Sequence, residues 1–159
     1  MEKLAKQFGV TLKSCAIVGD DDVYPTDEMY RKVNLLLNKL INEKGFNSFY
    51  ICPFGAFEWM VRRILSDLQK YKYPHIITFL LEPYDDFTGD KNIHTRLVLE
   101  TEVEINLVDS LPLHRPSQIQ SRCTGIDHSE FVIFGLGNDD MKKMYEDYTK
   151  KQFKKYEMF

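Results

Sequence analysis

Between residues 52 and 63 the chain gathers a thiol, a carboxylate and two guanidinium groups: Cys52, Glu58, Arg62 and Arg63. They follow the apolar run Phe49-Tyr50-Ile51 and enclose Pro53-Phe54-Gly55-Ala56-Phe57. Such a run, turn and apolar-periodic segment read as a buried strand, a loop and the first turns of a helix. In α/β proteins small ligands bind there, outside the carboxyl end of a strand. The helix start offers free N–H groups and a positive dipole end, which suit an anion. Arg62 or Arg63, one turn on, could add a bidentate contact to that anion, or one could face solvent while the other pairs with an acid. Cys52 is either a nucleophile with its pKa lowered by the helix start or a buried strand-end thiol. Glu58, at its simplest, complements the dipole, worth about 0.3–1 kcal/mol.

Other chemistry-bearing groups are sparser. Asp20-Asp21-Asp22 could hold a divalent cation such as magnesium beside a nucleotide, or form a solvated loop. Cys123 and His128 lie five apart with no C-x-x-C or H-x-x-x-H pair, so no metal site is assigned. No G-x-S-x-G, P-loop or G-x-G-x-x-G motif is present.

The elements that must position these groups alternate between strand and helix. Residues 14–19 form a compact apolar run ending in Gly19, the pattern of a buried first strand. A helix opened by Pro25 or Thr26 carries the stripe Met29/Tyr30, Val33, Leu36/Leu37 and Leu40/Ile41, with Gly45 after its end. Residues 47–52 are the second strand. The next helix buries Phe57, Val61, Ile64/Leu65 and Leu68, and residues 75–81 are the third strand. Later come a short helix over 117–126, a strand over 130–135 ending at Gly135, and a helix over 139–159 with Met141, Tyr145, Tyr148, Tyr156 and Phe159 as its apolar face. Residues 1–9 suggest a short helix, and the alternation of Val103, Ile105 and Leu107 a half-exposed strand. The expected fold is α/β: a three-layer Rossmann-like fold with a mainly parallel sheet of about five strands and helices on both faces.

Composition narrows the function classes. At 159 residues, 43% apolar and 13% aromatic, the chain reads as one globular domain. A net charge of -3 gives no bulk attraction to nucleic acid or anionic lipid, and the lysines of residues 142–155 read as a solvated face diluted by Glu146, Asp147 and Glu157. Three cysteines without paired spacing read as free thiols in a reducing compartment. Met1-Glu2-Lys3-Leu4-Ala5-Lys6 lacks the apolar run of a signal peptide, and no stretch reaches transmembrane length, so a cytoplasmic location is expected.

Residues 49–64, followed by Tyr73-Pro74-His75-Ile76, resemble the SLOG superfamily of Rossmann-like proteins, in its bacterial YpsA-like branch. That branch reads roughly F-Y-V-G-N-x-G-G-F-D, an apolar helix, then Y-P-H-I. Here Cys52 stands at the first glycine, Pro53 at the asparagine, Ala56 at the last glycine and Glu58 at the aspartate. Val18-Gly19-Asp20-Asp21 takes the place of a T-G-H-R-type motif, and Arg122-Cys123 with Ser129-Glu130 that of an R-N…S-D segment. The resemblance covers roughly residues 14–135 and implies a single SLOG-like domain over 1–159. It also implies a nucleotide or nucleotide-derived ligand at the carboxyl ends of the strands, contacted by Gly19, Asp20, Cys52, Phe54, Gly55, Ala56, Glu58, Arg62, Arg122 and Gly135; Arg122 reads equally as a pocket residue or as half of a structural ion pair. The family's last strand is not evident after residue 139, where a helix is expected to run to residue 159.

Three functions follow as expectations. The first is a binding module that holds the nucleotide-type ligand without turnover. The second is a nucleoside or nucleotide N-glycosidic hydrolase, in which the resemblance gives Glu58 a catalytic role. The partner motif P-G-G-x-G-T-x-x-E of such hydrolases is not found. The third is a ligand-free scaffold, with the aromatic stripe of residues 145–159 either covering the sheet edge or forming a homodimer interface.

Overall fold

The computed structural model describes residues 11–20, 22–85, 93–99 and 115–159. Residues 1–9, Asp21 and the segment of Val103, Ile105 and Leu107 lie outside them.

Strand β1 (Ser14–Gly19) is buried along its whole length and forms the middle of the sheet. It pairs in parallel with β2 (Ser48–Ile51) on one side and β5 (Phe131–Gly135) on the other. Beyond β2 lies β3 (Ile77–Asp85), also parallel, and then β4 (Ile93–Leu99), which is antiparallel to β3. The order is β4-β3-β2-β1-β5-β6, with β6 (Lys155–Met158) parallel to β5. Pro83 falls beyond Leu80, where pairing with β2 ends, so its missing N–H breaks no β2–β3 bond.

Helices cover both faces, and side-chain alternation along the strands sends alternate residues to each. Cys15, Ile17, Phe49, Ile51, Leu80 and Ile133 point to one face, where α1 (Asp27–Asn42) and α2 (Ala56–Tyr71) lay down Val33, Leu37, Phe57, Val61, Ile64 and Leu65. Ala16, Val18, Val132 and Phe134 point to the other, where Ile126 of α3 (Arg115–Asp127) and Tyr145 of α4 (Asp139–Lys150) pack. The protein is thus a three-layer Rossmann-like α/β fold. No described helix is long and apolar enough to cross a membrane.

Local chemistry fixes the helix ends. Thr26 caps α1 by accepting the Met29 N–H at 3.1 Å, with Asp27 and Glu28 in the first turn. Asn138 caps α4 in the same way through the Met141 N–H, at 3.1 Å.

The C-terminal segment departs from the expected helix over 139–159. Helix α4 stops at Lys150, the backbone turns through Phe153 at φ 58°, and residues 155–158 run alongside β5. So the sixth strand, not evident in the sequence, is present. Period two explains it: Tyr156 and Met158 pack inward while Lys155 and Glu157 face solvent. The Tyr156 ring meets Phe134 edge-on at 5.6 Å, and the Lys154 ammonium donates to the Ile126 and Asp127 carbonyls at the end of α3. The aromatic stripe therefore covers the sheet from two different elements.

Candidate functional site

Strand order turns back on either side of β1, which opens a crevice at the carboxyl ends of β1, β2 and β5. The loop from Cys52 to Gly55 enters it, and Gly55 takes φ 94°, ψ 140° as the N-cap of α2. No side chain caps this helix.

Glu58, in the first turn of α2, points inward and is 0% exposed. Arg122 reaches it from α3, which lies on the opposite face of the sheet. Its Nη2 donates to Oε1 at 2.9 Å and its Nε to Oε2 at 3.2 Å, a two-point contact from a side chain only 3% exposed. The guanidinium carbon also sits 4.8 Å from the centre of the Phe54 ring. Burial works against the Arg122 charge, but the Glu58 carboxylate more than offsets it, so the group stays firmly protonated.

Two glycines make room for this bridge. A Cβ on Gly19 would lie 2.7 Å from Glu58 Oε1, and one on Gly55 would run into the same oxygen and sit 3.2 Å from Arg122 Nη2. Gly135, the register partner of Gly19, has no space either, because the Phe57 ring fills it. The glycines at the strand ends thus admit the protein's own carboxylate and aromatic ring into the crevice.

A second internal carboxylate fills the β5–α4 turn. Asp20 is buried, and its Oδ2 accepts the N–H groups of Gly137 and Asn138, each at 2.8 Å, while Oδ1 accepts that of Asp22 at 2.8 Å. Asp22 in turn accepts from the Asn138 amide at 3.1 Å. The aspartates at positions 20 and 22 therefore tie β1 to the start of α4. Among the described residues no group of three or more His, Cys, Asp or Glu could hold a metal ion. Asp20→Ala is expected to lower stability by about 2–3 kcal/mol, since three backbone donors lose their acceptor. Urea denaturation checks this, and a loss below about 0.5 kcal/mol would mean that the turn holds without its carboxylate.

Asp20 and Arg122 border a cleft of about 10 Å³, room for one water at most. The larger space lies on the other side of Gly55. A groove of about 750 Å³ runs over the start of α2 and is lined by Gly55, Ala56, Pro53, Trp59, Arg63 and Asp67, with Tyr30 and Pro25 from the α1 side. Tyr30 is 43% exposed and Trp59 45%.

The residues implicated by sequence consequently divide. Gly55 and Ala56 line the groove; Cys52 and Phe54 are buried beneath the loop. Glu58 and Arg122 stand behind Gly55, with Gly19, Asp20 and Gly135 farther along the crevice. Arg62 is buried and braces the Trp59 ring at 5.3 Å, whereas its neighbour Arg63 faces the groove. Burial, then the Glu58 charge, push the Cys52 thiol well above its ordinary range, so it stays protonated at neutral pH. Cys123 is likewise pushed up, to about 11, by burial and then by Asp127.

Trp59, Tyr30 and Asp67 were missing from the residues implicated by sequence. Their signal is a row: Trp59, Arg63 and Asp67 recur every four residues, off the buried stripe of α2. A tryptophan on the polar side of an amphipathic helix marks a surface that the core does not explain.

No protein-family model, curated protein or solved structure matches this chain.

Proposed function

We propose that this chain is a SLOG-like Rossmann-type domain that binds a nucleotide or nucleotide-derived ligand in the groove over α2, without turning it over. One observation carries the proposal: a space of about 750 Å³ lies on a helix start with no side-chain cap and is flanked by two half-exposed aromatic rings. A planar base stacks on Trp59 or Tyr30, which contributes about 1–3 kcal/mol per base in comparable contacts. An anionic group takes the first-turn N–H groups of α2, and Arg63 adds a cation. Asp67 accepts from a sugar or base donor. Pro53 offers no N–H, so backbone contact to the anion falls on residues beyond it.

Binding is favoured over N-glycosidic hydrolysis by the position of Glu58. Both of its oxygens meet Arg122, and it stands behind Gly55 rather than on the groove lining. A carboxylate so held steadies the loop and does not reach a sugar in the groove.

Trp59 is the only tryptophan, so its fluorescence reports on the site. A panel of nucleosides, nucleotides, dinucleotide cofactors and cyclic dinucleotides, with and without magnesium, is expected to yield one class that quenches Trp59 saturably and raises Tm. Trp59→Ala and Arg63→Ala should each weaken that ligand about tenfold or more with Tm of the free protein little changed. Silence across the panel in both readouts would leave the ligand-free scaffold as the better account.

A further inference from the structure

Strand β6 ends the sheet, and among the described residues nothing pairs with its outer side. We propose that this edge is a homodimer interface, in which β6 of a second copy adds antiparallel about a two-fold axis at Tyr156.

The backbone sets the register. The Phe159 N–H donates to Phe134 O at 2.8 Å, toward β5. Because N–H groups alternate sides along a strand, those of Tyr156 and Met158 point outward, unpaired within the sheet. A two-fold axis at Tyr156 lets each Tyr156 exchange N–H···O=C bonds with its counterpart, and sets Met158 N–H against Lys154 O of the second copy.

Side chains support that same register and no neighbouring one. It places Lys155 opposite Glu157 of the second copy, twice by symmetry, in the non-hydrogen-bonded positions where side chains stand closest. Both residues face solvent and belong to the strand's outward row. A shift by two residues would instead set Lys155 against Lys155, or Glu157 against Glu157, of the second copy. The register also carries Phe153 toward Phe159 of the second copy, beyond the strand end. Phe153 is 96% exposed at φ 58°, the most exposed large apolar side chain among the described residues.

Lysines commonly guard sheet edges against such pairing. Here Lys154 is withdrawn from that duty, since its ammonium is held by the Ile126 and Asp127 carbonyls. Lys155 is neutralised by Glu157 of the second copy. The edge is therefore guarded against other strands and complementary to itself.

Sedimentation equilibrium over a concentration series reaching the upper micromolar range tests this. The wild type is expected to associate to a dimer. Lys155→Glu and Glu157→Lys, both on exposed side chains, should each raise the dissociation constant at least about tenfold. The double variant Lys155→Glu/Glu157→Lys restores opposite charges in the same register and should recover dimerisation. A wild type that remains monomeric throughout would overturn the proposal, as would a dimer indifferent to the single reversals. Equally, a double variant no better than either single one would overturn the register.

Discussion

Arg122→Ala is expected to lower the stability of this protein by about 3–5 kcal/mol, among the largest effects of any single substitution in it. The reason lies less in the worth of the ion pair than in what its removal leaves behind. Glu58 is 0% exposed, and its carboxylate would remain in a crevice closed by Gly19, Gly55 and Phe57. Taking one partner away from a buried ion pair costs several kcal/mol, whereas an intact pair can break even with an apolar substitute. Arg122 also lies over the Phe54 ring, so the variant loses packing under the loop. In a domain of this length the loss corresponds to a fall in Tm of roughly 10 °C.

Arg122→Lys should rescue little, because an ammonium cannot span both Glu58 oxygens and lie flat on Phe54. The double variant Glu58→Met/Arg122→Met should recover most of the loss, since it removes both charges while keeping bulk. Guanidinium unfolding of the single, conservative and double variants separates these contributions. A loss under about 1 kcal/mol for Arg122→Ala would show that the bridge is not held in solution.

This bridge also explains what sequence could and could not disclose. Strands β1, β2, β3 and β5 were legible because continuous apolar runs such as Cys15-Ala16-Ile17-Val18 fit only a strand buried on both faces. Helices α1 and α2 were legible from their stripes, with Pro25 or Thr26 read as the opening of α1. Strand β6 was not, because Tyr145, Tyr148 and Tyr156 continue an apparent helical spacing across the turn at Phe153. Only the short alternation Lys155-Tyr156-Glu157-Met158 contradicts it, too brief to outweigh a preceding amphipathic helix. Strand β4 was missed because Pro83, Gly89 and Pro112 around it read as loop punctuation.

At the site, Glu58 and Arg122 were each visible as candidates, yet their pairing was not. They are 64 residues apart, on helices covering opposite faces, and meet only because both project past the sheet's carboxyl end. Asp20 is similar, since the donors it satisfies lie 117 and 118 residues away. Sequence read Asp20 as ligand-facing or part of a solvated loop and Glu58 as ligand-facing or a dipole complement; the fold sets Asp20 on the backbone N–H groups at the start of α4 and Glu58 in the first turn of α2. The groove was hidden for the opposite reason. Its aromatic walls belong to two helices, and only the four-residue row of Trp59, Arg63 and Asp67 hints at one of them.

Gly55→Ala is expected to cost about 3 kcal/mol or more, from two separable causes. At φ 94°, ψ 140° an L-residue is strained by roughly 1–3 kcal/mol. The new methyl would also occupy the position of Glu58 Oε1 and press on Arg122 Nη2, so the bridge must shift to admit it. Gly45 separates the two causes. It has φ 75°, but a Cβ there would meet nothing within 4 Å. Gly45→Ala should therefore cost only the backbone strain, about 1 kcal/mol. The excess of Gly55→Ala over Gly45→Ala then combines displacement of the Glu58–Arg122 bridge with the greater backbone strain at φ 94°, ψ 140°. It should shrink when both variants are remade on the Glu58→Met/Arg122→Met background, where a flexible thioether can yield to the methyl. Equal losses at the two glycines would mean that the bridge gives way freely, and that Gly55 is required for its φ alone. Because Gly55 also lines the groove, its alanine variant should lose any Trp59 quenching found in the nucleotide panel even where it remains folded.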